Sequence, residues 1–103
     1  MRVILFSSSE RQAPLLVRAL VDERLVACGN VFPGVRAIYR WQGRVEDETE
    51  AVVIAETSDE LVERATTRLR ALHDYDAPKI LVLEAASSAA AYSTWLREQL
   101  QQE

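Results

Sequence analysis

The stretch that most limits what this chain can fold into is residues 35–57, VRAIYRWQGRVEDETEAVVIAET. Val35, Ala37, Tyr39 and Trp41 recur at every second position, and Arg36, Ile38 and Arg40 fill the gaps, which is the period of a β-strand. Gln42-Gly43 supplies the reversal, because glycine accepts the positive φ of a tight hairpin turn. The return arm sets Glu46, Glu48 and Glu50 on one face and turns apolar from Ala51 to Ala55. The segment therefore predicts one long β-hairpin. A two-stranded ribbon is marginal alone in water, so its aromatic face needs cover from the chain's own helices and from another copy of the chain.

The flanks are shorter and simpler. Arg2–Phe6, RVILF, is too short for a helix and rich in branched residues, as a buried strand would be. Ser7 and Glu10 have capping-box spacing ahead of a helical stripe of Ala13, Leu16, Val17, Leu20 and Val21. Pro14 lacks an N–H and fits only a first turn, so that helix either starts later than the serines or kinks. Gly29-Asn30 and Pro33-Gly34 signal two bends with Val31-Phe32 between them. Thr57 and Glu60 open a second helix along Leu61, Ala65, Leu69 and Leu72, which ends before Pro78. Ile80–Leu83 is a further buried strand. Ser87 or Ser88 opens a last helix that turns Tyr92, Trp95 or Leu96, and Leu100 inward.

The order βα(ββ)αβα over residues 1–103 is that of a single α+β domain, a ferredoxin-like split-βαβ sandwich with both main helices on one sheet face. The other face carries too much Val, Ile, Leu, Tyr and Trp for water alone, which predicts an oligomer joined through sheet edges and hairpins. A net charge of −4 argues against a nucleic-acid partner. A single cysteine, Cys28, and an N-terminal apolar run of only four residues, Val3–Phe6, suggest a reducing, cytoplasmic setting with no membrane association.

Four segments then carry a resemblance: RLVACGNVFPG (24–34), IYRWQG (38–43), LHDYDAPKI (72–80) and YSTWL (92–96). In this order the chain resembles the CutA family of divalent-cation tolerance proteins from about residue 2 to residue 98. The resemblance implies a ferredoxin-like homotrimer whose long hairpins augment neighbouring sheets, and a role tied to copper or other divalent ions. The chain departs from the family pattern at His73-Asp74-Tyr75-Asp76, where His-Pro-Tyr-Glu is usual, at Pro78-Lys79 in place of Pro-Glu, and at Glu56 in place of a lysine.

Candidate chemistry is sparse. His73 with Asp74 and Asp76 could hold a divalent ion such as Cu²⁺ weakly through nitrogen and oxygen, although a lone histidine at a helix end more often caps the dipole. No metal is required for folding. Arg36, Arg40 and Lys79 could line a cleft between subunits and clamp a small anion, as in PII-like trimeric signalling proteins. Arg36 and Arg40 could equally pair with the acids of the return arm. Tyr39 and Trp41 are expected trimer-interface anchors. Cys28, between Ala27 and Gly29, reads as a small buried hydrophobe, and Glu46, Glu48 and Glu50 as a solvated face. No phosphate-cradling loop, nucleophile elbow or second histidine is present, so no catalytic role is assigned. A purely structural interaction module is the remaining alternative.

Overall fold

The structure is a computed structural model that describes residues 1–102. Its elements are β1 (Arg2–Ser8), α1 (Ala13–Asp22), β2 (Cys28–Trp41), β3 (Arg44–Thr57), α2 (Val62–Leu72), β4 (Ile80–Glu84) and α3 (Ala90–Gln99). The sheet order is β2-β3-β1-β4, with every neighbouring pair antiparallel. β1 and β2 thus run parallel with β3 between them, the split-βαβ arrangement expected from the element order.

Register divides the sheet into two unlike faces. Ile4 and Phe6 lie opposite Ala55 and Val53, and these side chains form the core with Ala13, Leu16 and Leu20 of α1 and Ala65 and Leu69 of α2. The alternate positions (Val3, Leu5, Val52, Ile54, Phe32) face the other way, continued on β4 by Leu81 and Leu83. β4 is an edge strand rather than the buried one expected. Its Leu81, Val82 and Leu83 each stay nearly half exposed, because only β1 flanks it.

The hairpin is longer than its sequence pattern implied. β2 begins at Cys28, and the two expected bends are absorbed into the strand. Gly29 sits in regular pairing with Ala55, where an added Cβ would lie 2.8 Å from Val17 Cγ1, so close helix–strand packing accounts for it. Pro33-Gly34 forms a β-bulge, because the register shifts between Phe32 and Val35. Gly34 takes φ +69° and donates its N–H to Glu10 at 2.8 Å. The bulge keeps Phe32 and Val35 on one face. At the tip, Gln42 and Gly43 both have positive φ, the signature of a two-residue primed turn.

Both helix starts lie further along than the capping pattern predicted, and for one reason: the preceding strand runs on. Ser7 and Ser8 belong to β1 and Thr57 to β3, so Ser9 and Ser58 accept the free N–H groups of Gln12 and Leu61 instead. α1 starts at Ala13 with Pro14 in its first turn, where the missing N–H costs nothing. α3 closes the end of the sheet opposite the hairpin tip, burying Leu96 and Leu100, while Trp95 stays 41% exposed.

Candidate functional site

Cross-strand pairing decides which hairpin side chains can meet. Tyr39 lies opposite Glu46, Ala37 opposite Glu48, Val35 opposite Glu50 and Trp41 opposite Arg44, so aromatics and acids share one side of the ribbon. Arg36, Ile38 and Arg40 share the reverse side with Asp47, Thr49 and Val45. Arg36 and Arg40 are therefore not the cross-strand partners of Glu46, Glu48 or Glu50. Arg36 does pair with an acid of the return arm, Asp47, in a bidentate contact (Nε to Oδ1 at 2.9 Å, Nη2 to Oδ2 at 2.7 Å) that holds the Asp47 carboxyl below its usual range.

Where the ribbon leaves the sheet, it and the loop after α2 enclose an open cleft of about 960 Å³. Tyr39, Trp41 and Tyr75 line it, with Glu46, Glu48, Glu50, Asp74 and Asp76 against Arg36, Arg44 and Lys79. Tyr39 and Trp41 are not folded against their own helices; they stand 38% and 47% exposed, outside the core. Of the three expected anion-binding residues, Arg36 and Lys79 line the cleft and Arg40 does not.

The loop wall is fixed by three hydrogen bonds. His73 is buried; its Nε2 bonds Ser7 O at 2.8 Å, and its Nδ1 accepts the Tyr75 N–H at 3.1 Å. The Tyr75 N–H can only donate, so Nε2 carries the proton. Tyr75 then reaches across to donate its hydroxyl to Glu50 Oε2 at 2.6 Å. Burial, followed by the neighbouring Glu50 carboxylate, raises the Tyr75 phenol well above its ordinary value. Glu50 is only 7% exposed, which corrects the expectation of a fully solvated acidic face. Asp74 and Asp76, close to His73 in sequence, remain exposed. Among the described residues, no group of three or more His, Cys, Asp or Glu side chains converges to hold a metal ion.

A second polar node lies at the opposite end of the same face. The Cys28 thiol is 3.1 Å from Glu56 Oε1 and 3.3 Å from the Tyr92 hydroxyl, and Tyr92 donates to the same Glu56 oxygen at 2.6 Å. Cys28 is thus half-buried among polar partners rather than a buried hydrophobe. Burial pushes its thiol up, the Tyr92 hydrogen bond acts against this, and Glu56 reinforces it. A protonated thiol and phenol both anchored on one carboxylate make a structural tie between β2, β3 and α3. Neither node was visible in the sequence, because Glu50 and Tyr75, like Cys28 and Tyr92, come together only through the fold. The one available signal was a charged residue, Glu56, inside an otherwise apolar strand end.

The architecture and cleft define the class: a ferredoxin-like α+β domain with an extended two-faced hairpin and an uncovered apolar sheet face. Residues 1–99 match the family model described as CutA1 divalent ion tolerance protein, and the chain belongs to that family. It is 40% identical over 96 residues to the divalent-cation tolerance protein CutA of Thermus thermophilus, covering 93% of each chain. Against the chloroplastic protein CutA of Arabidopsis thaliana it is 34% identical over 82 residues, which is 80% of this chain and 45% of that one. It spans about half the length of that plant relative. Among solved structures, CutA1 from Pyrococcus horikoshii superimposes with a TM-score of 0.95 at 30% identity, over 99% of this chain and 100% of the other. A structure described as the PII-like protein CutA from Nostoc sp. PCC 7120 in apo form gives 0.92 at 30% identity, over 98% of each. Among the described residues, no helix is long and apolar enough to cross a membrane.

Proposed function

We propose that three copies of this chain associate through their open sheet faces and hairpins, and that the homotrimer acts in divalent-cation tolerance as a cytoplasmic protein without catalytic activity. The observation that carries the assembly is the uncovered face itself. Phe32, Trp41, Leu81 and Leu83 each leave close to half their surface exposed on a face that the chain's own main helices do not reach. An apolar surface of this extent calls for a partner, and two free sheet edges stand beside it.

The proposal includes weak binding of a divalent ion, Cu²⁺ in the first instance, at His73, Asp74 and Asp76. The donor types suit copper, and both aspartates are exposed and close to His73 in sequence. His73 spends both ring nitrogens on Ser7 and Tyr75, however, so a metal must displace one of those hydrogen bonds. That competition keeps the affinity low and leaves folding independent of metal. Calorimetric titration with Cu²⁺ is expected to give weak, saturable heat that disappears in His73→Ala. Unchanged binding in the variant would move the site elsewhere, and no binding to either protein would remove copper from the proposal.

The PII-like alternative, a small anion held by Arg36, Arg40 and Lys79 between subunits, has less support. Five carboxylates face three cations in the cleft, Asp47 already occupies Arg36, and Arg40 points away from it. Titration with nucleotides in the same calorimeter is expected to give no saturable heat. A structural module would bind neither probe.

A further inference from the structure

The end of α1 holds an arginine where backbone geometry favours glycine. The Leu25 N–H bonds Leu20 O and the Arg24 N–H bonds Val21 O, each at 3.0 Å, the paired closure of a Schellman turn. That closure sets Arg24 at φ +58°, left-handed backbone in which a β-carbon crowds the chain. Among the described residues only Arg24 and Gln42 take positive φ without being glycine, and Gln42 sits in the hairpin turn that demands it. Nothing in the α1 turn itself calls for arginine at this position.

The reason lies in α3. Arg24 Nη1 donates to Gln99 O at 3.1 Å, a carbonyl in the last turn of α3, where no helical N–H follows to satisfy it. The Arg24 carbonyl accepts the Gln101 N–H at 2.9 Å. Gln101 then divides its side chain: Nε2 donates to Glu23 O at 2.8 Å, and Oε1 accepts from Arg64 of α2 at 2.7 Å. The turn after α1 is thus a clasp on the C-terminal end of α3. The rest of α3 is held lightly. It starts without a side-chain cap, residues 86–91 are exposed, and it buries Leu96 alone within its length. A helix of ten residues is marginal without its neighbours.

We propose that Arg24 is the latch of a strap: its guanidinium holds the C-terminal end of α3 against the α1 turn, and on its release α3 lifts as one unit and uncovers the Cys28 thiol. Glycine would suit the turn better but has no donor to reach Gln99, which is why the strained arginine stands there. The latch and the thiol lie at opposite ends of α3. Tyr92, in its first turn, touches Cys28 Sγ at 3.3 Å and shares Glu56 with it, so undocking the helix removes the group packed on the sulfur. Access to Cys28 is then set by a contact that does not involve Cys28, Tyr92 or Glu56. The device is internal to one chain and does not rest on the assembly.

The test is amide hydrogen exchange on the full chain, with the rate at which an aromatic disulfide labels Cys28 measured in parallel. Two variants separate latch from strain. Arg24→Ala keeps the β-carbon and removes the donor, whereas Arg24→Gly removes both and favours the turn, so it folds. Both are expected to speed exchange across residues 93–99 by about threefold to tenfold, the loss of one hydrogen bond, and to speed Cys28 labelling in step. In Arg24→Gly the amides of residues 23–25, which close the α1 turn, are expected to stay at least as protected as in the wild type. Unchanged exchange in α3 in both variants overturns the latch. Faster exchange in α3 with unchanged labelling overturns its control of Cys28. Loosening of residues 23–25 together with α3 in Arg24→Gly makes Arg24 a general structural residue and overturns the inference as well.

Discussion

Tyr75→Phe is a sharp probe of the cleft wall, because it removes one oxygen and keeps the ring that packs on His73 at 4.8 Å between centroids. The lost contact is the 2.6 Å hydrogen bond to Glu50, a residue only 7% exposed. A hydrogen bond to a charged group contributes about 1.5–3 kcal/mol. Tyr75 is itself 37% exposed, so water competes for both partners, and the lower part of the range applies. We expect a loss of about 1–2 kcal/mol near pH 7. For a domain of this size each kcal/mol corresponds to about 4–8 °C in Tm, readable by calorimetry at fixed protein concentration.

The same contact has a pH signature. In the folded state burial and Glu50 hold the Tyr75 phenol above its ordinary value of about 10. A group with a raised folded pKa contributes stability that is complete below its unfolded value and fades as pH rises toward the folded one. The wild type therefore loses this contribution above about pH 10, whereas the variant has no phenol at that position to lose. Tyr92, which does not act on Tyr75, titrates in both proteins and cancels in the difference. The gap in Tm is expected to be full near neutral pH and to narrow in alkali. Equal melting at neutral pH, or a gap that stays constant into alkali, would refute the reasoning.

Gly29→Ala sets two effects against each other: replacing a strand glycine gains up to about 1 kcal/mol, and the 2.8 Å clash with Val17 costs about 1–3 kcal/mol. Val17 is a stiff β-branched side chain on a helix, so a net loss is expected in urea denaturation, largely recovered when Val17→Ala is added. Trp41→Ala is expected to weaken self-association by about 2 kcal/mol or more, as a buried aromatic anchor does, measured from the dissociation midpoint on dilution. An unchanged midpoint would remove Trp41 from the interface. Glu56→Gln is expected to loosen α3, seen as faster amide exchange across residues 90–99, because Cys28 and Tyr92 then meet a neutral acceptor.

The element order and both faces of the hairpin were legible in the sequence, because strand and helix periodicities are local. Tyr39, Trp41 and Glu46 could be assigned to faces by counting residues, and the turn at Gln42-Gly43 by backbone geometry. Pro33-Gly34 misled in kind: the same residues serve a turn or a bulge, and only the pairing with β3 distinguishes the two. The serines that accept the N–H groups just ahead of the helices, Ser9 and Ser58, were missed by one or two residues, since a strand's end depends on its partner's length. That Arg36 meets Asp47 followed from register, which the sequence left open. The polar contacts that shape the site, Tyr75 to Glu50 and Tyr92 to Glu56, bridge 25 and 36 positions and leave no periodic trace.

The central claim is that copies of this same chain cover the apolar sheet face and the hairpin. Light scattering behind a sizing column measures it without labels or variants. At micromolar concentration the account predicts three times the 11.6 kDa chain mass, unchanged on further moderate dilution. A peak at the mass of one chain would contradict it.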